Sequence, residues 1–194
     1  MRKITINLAA VAAFCIVVAS PALVSSSCAT PKTEQEDTTI IREDSGITAL
    51  KYSSPEVPAS IEFCGKTIDL SRFDRHERMD RELLAFTYMH STSLQMLKKA
   101  NRYFPIVEPI LKENGIPDDF KYLMVIESNM NPTARSSAGA AGLWQFMQGT
   151  GRDYGLEVNN NVDERYHIEK ATRAACRYLK DAYAKYKDWV AVAA

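Results

Sequence analysis

The sequence predicts a mainly α-helical domain, on three observations. Apolar residues recur at helical spacing along most of the chain after Asp80. Helix start and stop signals punctuate that stretch, among them Pro117 with Asp118 and Asp119, then Asn131-Pro132, then Gly155. The 194 residues are 46% hydrophobic and 25% charged, enough for one core of ordinary composition.

The first 27 residues read as an export signal. Arg2 and Lys3 form a short basic region, residues 8–19 (LAAVAAFCIVVA) are apolar and uncharged, and Ser25, Ser26 and Ser27 supply small residues. Cys28 after the three serines admits two readings, a lipidated cysteine that anchors the chain to a membrane or ordinary cleavage nearby. Residues 28–60, rich in Thr, Ser, Pro, Glu and Asp, read as a flexible tether. Residues 61–194 are the expected domain, a helical lead-in followed by a catalytic core from about 104.

Leu83, Leu84, Thr87 and Tyr88, then Leu94, Met96 and Leu97, carry the helical spacing of the lead-in. Pro105 suits the start of the next helix and Gly115 its end, with Pro109 arguing against an unbroken run. Pro117 and its two aspartates open a helix expected to reach about Met130, where Asn131 avoids the helical region because a proline follows. Residues 133–140 are small and polar, hence a loop. Residues 141–154 read as a further helix closed by Gly155, and Asn159, Asn160 and Asn161 as a turn. Residues 168–187 form a long helix with Ala171, Ala175, Tyr178, Leu179, Ala182 and Tyr186 on its apolar side. The run from Trp189 opens one more helix and stops on apolar residues, so the domain is expected to be incomplete at the C-terminus.

A formal net charge of +0 offers no basis for nucleic-acid binding. Of the four cysteines, Cys64 and Cys176 lie beyond the signal and Cys28. They either pair in an oxidising compartment or stand as separate small apolar residues, and their spacing fits neither a zinc nor a thioredoxin motif.

Chemistry enters at Glu127. Ile116, Phe120, Leu123 and Glu127 share one helix face at 3.6 residues per turn, so a carboxylate sits on an apolar stripe. Burial disfavours its charged form, and a carboxylic acid that keeps its proton suits the protonation of a glycosidic oxygen. A lone Glu on a helix serves equally well as a cap or as a partner for arginine. Downstream, Gly139 and Gly142 permit close approach by backbone or ligand. Gln145 offers a donor and an acceptor, and Trp144, Phe146 and Met147 add apolar area shared between core and ligand.

The run ESNMNPTARSSAGAAGLWQFMQGTG (127–151) resembles the soluble lytic transglycosylase (SLT) domain family. It carries a Glu-Ser pair, then Asn-Pro-x-Ala-x-Ser, then Gly-Ala-x-Gly-Leu-x-Gln-Phe-Met at the family's spacing. The Gly-Leu-Trp-Gln-Phe form and Ala-Ala-Cys-Arg-Tyr-Leu (174–179) look most like the membrane-bound branch. The resemblance covers roughly residues 80–194. It implies a lysozyme-like (goose-type/SLT) helical fold, no metal and no cofactor, and peptidoglycan glycan strands as substrate. It implies Glu127 as the catalytic acid and base. It also implies Ser128 as a positioning or sugar-binding group, Gln145 and Met147 as cleft residues, and Ser136 on the loop beside them. Tyr178 is a cleft residue or a core tyrosine. Ser137 and Gln148 stand where relatives often carry proline, and the family's third motif, Ala-Tyr-Asn, would follow Ala194. The location implied is the periplasm, with the outer membrane if Cys28 is acylated.

The same resemblance implies a reaction with one carboxylate and no attacking water, which leaves a 1,6-anhydro-muramyl end. Two alternatives stay open. A goose-type lysozyme hydrolase would need a second carboxylate, for which Asp163 is a candidate. A non-catalytic glycan-binding or wall-assembly protein would need none.

Overall fold

The computed structural model describes residues 55–193, so the expected export signal, Cys28 and most of the expected tether lie outside the described residues. The described chain runs β1 (Ser60–Phe63), β2 (Lys66–Asp69), α1 (Phe73–Tyr88), α2 (His90–Glu113) and a 3-10 turn (Asp118–Tyr122). It continues through α3 (Leu123–Ser128), α4 (Gln148–Asp153), a second 3-10 turn (Glu164–Tyr166), α5 (Ile168–Tyr186) and α6 (Trp189–Ala193). The mainly α expectation is met.

The lead-in departs from expectation at its start. In place of tether and helix, residues 60–69 form an antiparallel hairpin pairing Phe63 with Lys66 and Ser60 with Asp69. Cys64 and Gly65 both take positive φ (51° and 73°), the two-residue turn whose twist matches paired strands. Ile61 and Ile68 pack with Val57 on Leu70, Met79 and Leu83, so α1 lies against the hairpin. That helix begins at Phe73, earlier than Asp80.

α2 runs unbroken through Pro105 and Pro109, against the expectation of a new helix at Pro105. Four residues apart, the two rings share an exposed face, where the carbonyls that lose an N–H partner can turn to water. The opposite face carries Val107, Ile110 and Leu111 into the core. There α2 packs against α5, with Cys176 Sγ 4.0 Å from Ile110 O. Phe120, Met124, Leu143 and Leu179 complete the same cluster. Cys176 and Cys64 are free thiols. Burial pushes the Cys64 thiol up to about 12, reinforced by Asp119 and Asp188, and burial pushes Cys176 up to about 11.

α5 starts at His167, whose side chain accepts from Lys170 N, and ends at Lys187 with φ 55°. Its buried face is small: Ala171, Thr172, Ala174, Ala175, Cys176 and Leu179. Tyr178 and Tyr186, expected on the apolar side, are 45% and 53% exposed and lie at its edge.

The hairpin is clipped to both ends of the helical domain. Cys64 N donates to Asp119 Oδ2 (2.6 Å), and Lys66 Nζ donates to Asp188 Oδ2 (2.7 Å). Phe63 is 1% exposed and meets Phe120, which meets Trp189, which stacks on Tyr183. Phe63→Ala should therefore cost about 3–5 kcal/mol, the usual range for emptying a buried aromatic site, and loosen the hairpin. Denaturant unfolding measures the first, and amide exchange across residues 60–69 the second.

Candidate active site

Glu127 sits in the last turn of α3, half-buried. The expected continuous helix from Pro117 to about Met130 is instead a 3-10 turn followed by a short α-helix. Asn129 and Met130 both adopt left-handed backbone (φ 49° and 52°), ending the helix at Ser128 before Asn131-Pro132 is reached. The apolar stripe is nevertheless built: Ile116, Phe120 and Leu123 are buried. Burial alone pushes the Glu127 carboxyl above its ordinary 4.5, with no opposing cation or hydrogen bond contributing.

Ser128, half-buried, directs its hydroxyl at backbone carbonyls. Its Oγ lies 2.9 Å from Met124 O and 3.0 Å from Leu143 O, so its one proton serves α3 or the Leu143 backbone. Donating to Leu143 O, the hydroxyl joins the Glu127 turn to the glycine-rich loop.

That loop replaces the first half of the helix expected over 141–154. Gly142 and Gln145 have φ of 79° and 48°, which a helix cannot accommodate. Ala141 and Phe146 exchange both backbone hydrogen bonds, and Gly142 N donates to Ala134 O, so the chain folds into a bridged double turn. Ser136 closes the first turn, its Oγ accepting from Ala140 N at 3.0 Å. Gln145 Nε2 donates to Gly142 O (2.8 Å) and Ala134 O (3.3 Å), so its amide nitrogen braces the loop. Trp144 is core, its Nε1 donating to the buried Thr172 Oγ1 at 3.0 Å. Met147 is 46% exposed immediately after the loop. Tyr178 sets its ring edge-on to both Phe146 (6.5 Å) and Tyr154 (5.5 Å), which places it on the exterior beside Met147's neighbour.

One residue was invisible to sequence reasoning. Arg165 is 2% exposed and clasps Asp163 through Nε (2.9 Å to Oδ1) and Nη2 (2.7 Å to Oδ2). Its Nη1 donates to Gly139 O (2.8 Å) and Phe146 O (2.9 Å). Between Glu164 and Tyr166 it reads as a solvated turn residue, and no periodicity marks it. These hydrogen bonds hold the Asp163 carboxyl below its ordinary 3.8. The close approach expected at Gly142 is made by this same residue's backbone: a Cβ there would lie 1.9 Å from Arg165 O. At Gly139 nothing lies within 4 Å, and its φ of 88° explains the glycine.

Open concavities mark the surface of the described residues. One of about 810 Å³ lies along Pro105, Pro109 and Ile116, another of about 440 Å³ between Tyr154, Arg177 and Asp181. Glu127 lines neither; the second adjoins Tyr154, the ring beside Tyr178. Among the described residues no group of three or more His, Cys, Asp or Glu side chains could hold a metal ion, and no helix is long and apolar enough to cross a membrane.

Residues 105–194 match the family model of the Transglycosylase SLT domain, and this segment is similar to that lysozyme-like family. Among similar proteins, the membrane-bound lytic murein transglycosylase D of Escherichia coli (strain K12) is 32% identical over 104 residues, 54% of this chain. Its counterpart in Escherichia coli O6:H1 has the same identity and coverage. A protein of Alteromonas sp. (strain M-1) named for resistance to tributyltin chloride is 24% identical over 103 residues, 53% of this chain and 50% of its own length. The chain spans 22% of the length of the two Escherichia coli relatives.

Gly142→Ala would force both a left-handed alanine and an overlap with backbone. It should destabilise the protein by about 3 kcal/mol or more, read as a lowered denaturant midpoint.

Proposed function

We propose that the protein is a peptidoglycan lytic transglycosylase, cleaving the bond between N-acetylmuramic acid and N-acetylglucosamine without water. The observation that carries this reading is the Glu127 carboxyl, its pKa raised by burial alone at the end of α3, on a turn linked through Ser128 to the SLT-type loop. Glu127 donates its proton to the oxygen leaving from C4 of N-acetylglucosamine. The substrate's own N-acetyl group stabilises the cation that develops on the muramic acid. Glu127, now a carboxylate, takes the proton of the C6 hydroxyl, and that oxygen closes on C1. One group serves as acid and then base, so its proton balance closes within the turnover.

The competing hydrolase would use a second carboxylate to activate water. Its candidate, Asp163, has both oxygens engaged by Arg165, which favours the reaction that needs no such base. Ser136, Gln145, Met147 and Tyr178 belong to the proposed glycan-binding surface, Gln145 and Ser136 chiefly by shaping the loop. Peptidoglycan in the cell envelope is the proposed site of action. Anchoring through Cys28 is part of the proposal and is tested by labelling with a fatty-acid analogue, which Cys28→Ser should abolish.

The decisive experiment digests purified sacculi and examines the products by mass spectrometry. Anhydro-muramyl ends are expected, and reducing ends alone would refute transglycosylation. Glu127→Gln should lower kcat about 10²–10⁴-fold, the range typical of losing general acid–base catalysis.

The pH dependence has a definite sign. The acid form must be present at the start, so kcat should fall as pH rises through the raised carboxyl pKa. Stability follows the same direction. With the folded pKa above the unfolded one, the associated stability is present at low pH and is lost as pH rises through the folded value. Glu127→Gln should therefore raise Tm at neutral pH even as it slows cleavage.

A further inference from the structure

Arg165 is the one charged side chain that is fully buried among the described residues, and four of its five guanidinium hydrogens have named acceptors. Two go to Asp163 and two to the carbonyls of Gly139 and Phe146, which stand at either side of the bridged double turn. Asp163 is itself aimed by accepting from Arg165 N, so the fork cannot rotate without losing several bonds together. A core brace needs no charge. Burying an ion pair gives little or no net stability over apolar packing, so its presence invites a role in geometry.

We propose that Arg165 is a positioning residue for glycan cleavage: it holds the 139–147 loop by Gly139 O and Phe146 O, and the loop, through Leu143 O and Ser128 Oγ, holds the turn that carries Glu127. The inference rests on the catalytic reading of Glu127 given above. The chain of contacts is short. Phe146 O is bonded to Arg165 Nη1 and to Ala141 N, and Leu143 lies between them in the sequence. Leu143 O meets Ser128 Oγ at 3.0 Å, and Ser128 adjoins Glu127. The Arg165 carbonyl also lies against Gly142, so both the side chain and the backbone of this residue set where the loop stands. Lysine cannot substitute, because its three donors radiate from one point and cannot span Asp163 and two separate carbonyls.

The test uses Arg165→Lys in the full chain, assayed on sacculi across pH, with circular dichroism and thermal melting to follow folding. A loosened loop admits water to the Glu127 carboxyl and lets it ionise earlier. The expected result is a fall in kcat of about tenfold or more, with the high-pH limb of the kcat profile moved to lower pH, in a protein that still melts cooperatively. A purely structural brace would reduce the amount of folded enzyme and leave that limb in place, and this result would overturn the proposal. Asp163→Asn keeps the guanidinium and serves as the second variant. It should move the limb in the same direction by less, and if Arg165→Lys does not fold, an unmoved limb in Asp163→Asn overturns the proposal. Glu127→Gln is run alongside. If it retains cleavage, the assignment of the acid itself fails; if it is inactive while the limb stays unmoved in the other two variants, only the role of Arg165 fails.

Discussion

A guanidinium shut away from water must find its compensation in the protein, and Arg165 finds it across three segments at once. Asp163 neutralises it, and Gly139 O and Phe146 O absorb two further hydrogens. Removing one partner of such a set is costly because the remaining charge is stranded. The glycine-rich loop buries Leu143 and Phe146, and its turns at Gly139, Gly142 and Gln145 all occupy left-handed backbone. Internal bonds such as the Ala141–Phe146 pair form its turns, and Arg165 adds two from outside that span them.

Glu127 shows the opposite economy. A carboxyl placed on an apolar stripe without a cation or donor is unfavourable whenever it is ionised. Phe120, Leu123 and Met124, earlier in the same segment, are apolar and well buried. The fold tolerates the misfit because burial is only partial and because the proton can stay. Local destabilisation of this kind is what a reactive acid requires, and a better-solvated glutamate would not hold its proton in the same range.

Much of this architecture is legible in the sequence where one local rule acts alone. The 3.6-residue period locates α5 and the buried face of α3, and the Glu127-to-Gly151 signature marks the segment whose loop meets the end of α3. The failures have physical causes. Pro105 reads as a helix start, yet its ring lies on the wet side of α2, where a lost hydrogen bond costs little. Residues 141–147 have a helical pattern of apolar residues, but Gly142 stands against Arg165 O, and the chain must turn. The hairpin at residues 60–69 carried a signal that could have been found, two short alternating runs around Cys64-Gly65. The inward aim of Arg165 had none, since it depends on carbonyls that come together only in three dimensions.

The hairpin clip also governs the order in which the protein can be made. Lys66 and Phe63 leave the ribosome long before their partners, with Asp188 following 122 residues later. At about 5–20 residues per second, that interval is roughly 6–25 s, during which the Phe63 face has no Phe120–Trp189 wall to enter. Contacts so distant along the chain close last and slow the search for the native state. A nascent chain whose first strand pair waits on a residue made 122 positions later cannot lock the hairpin in place before its synthesis is nearly over.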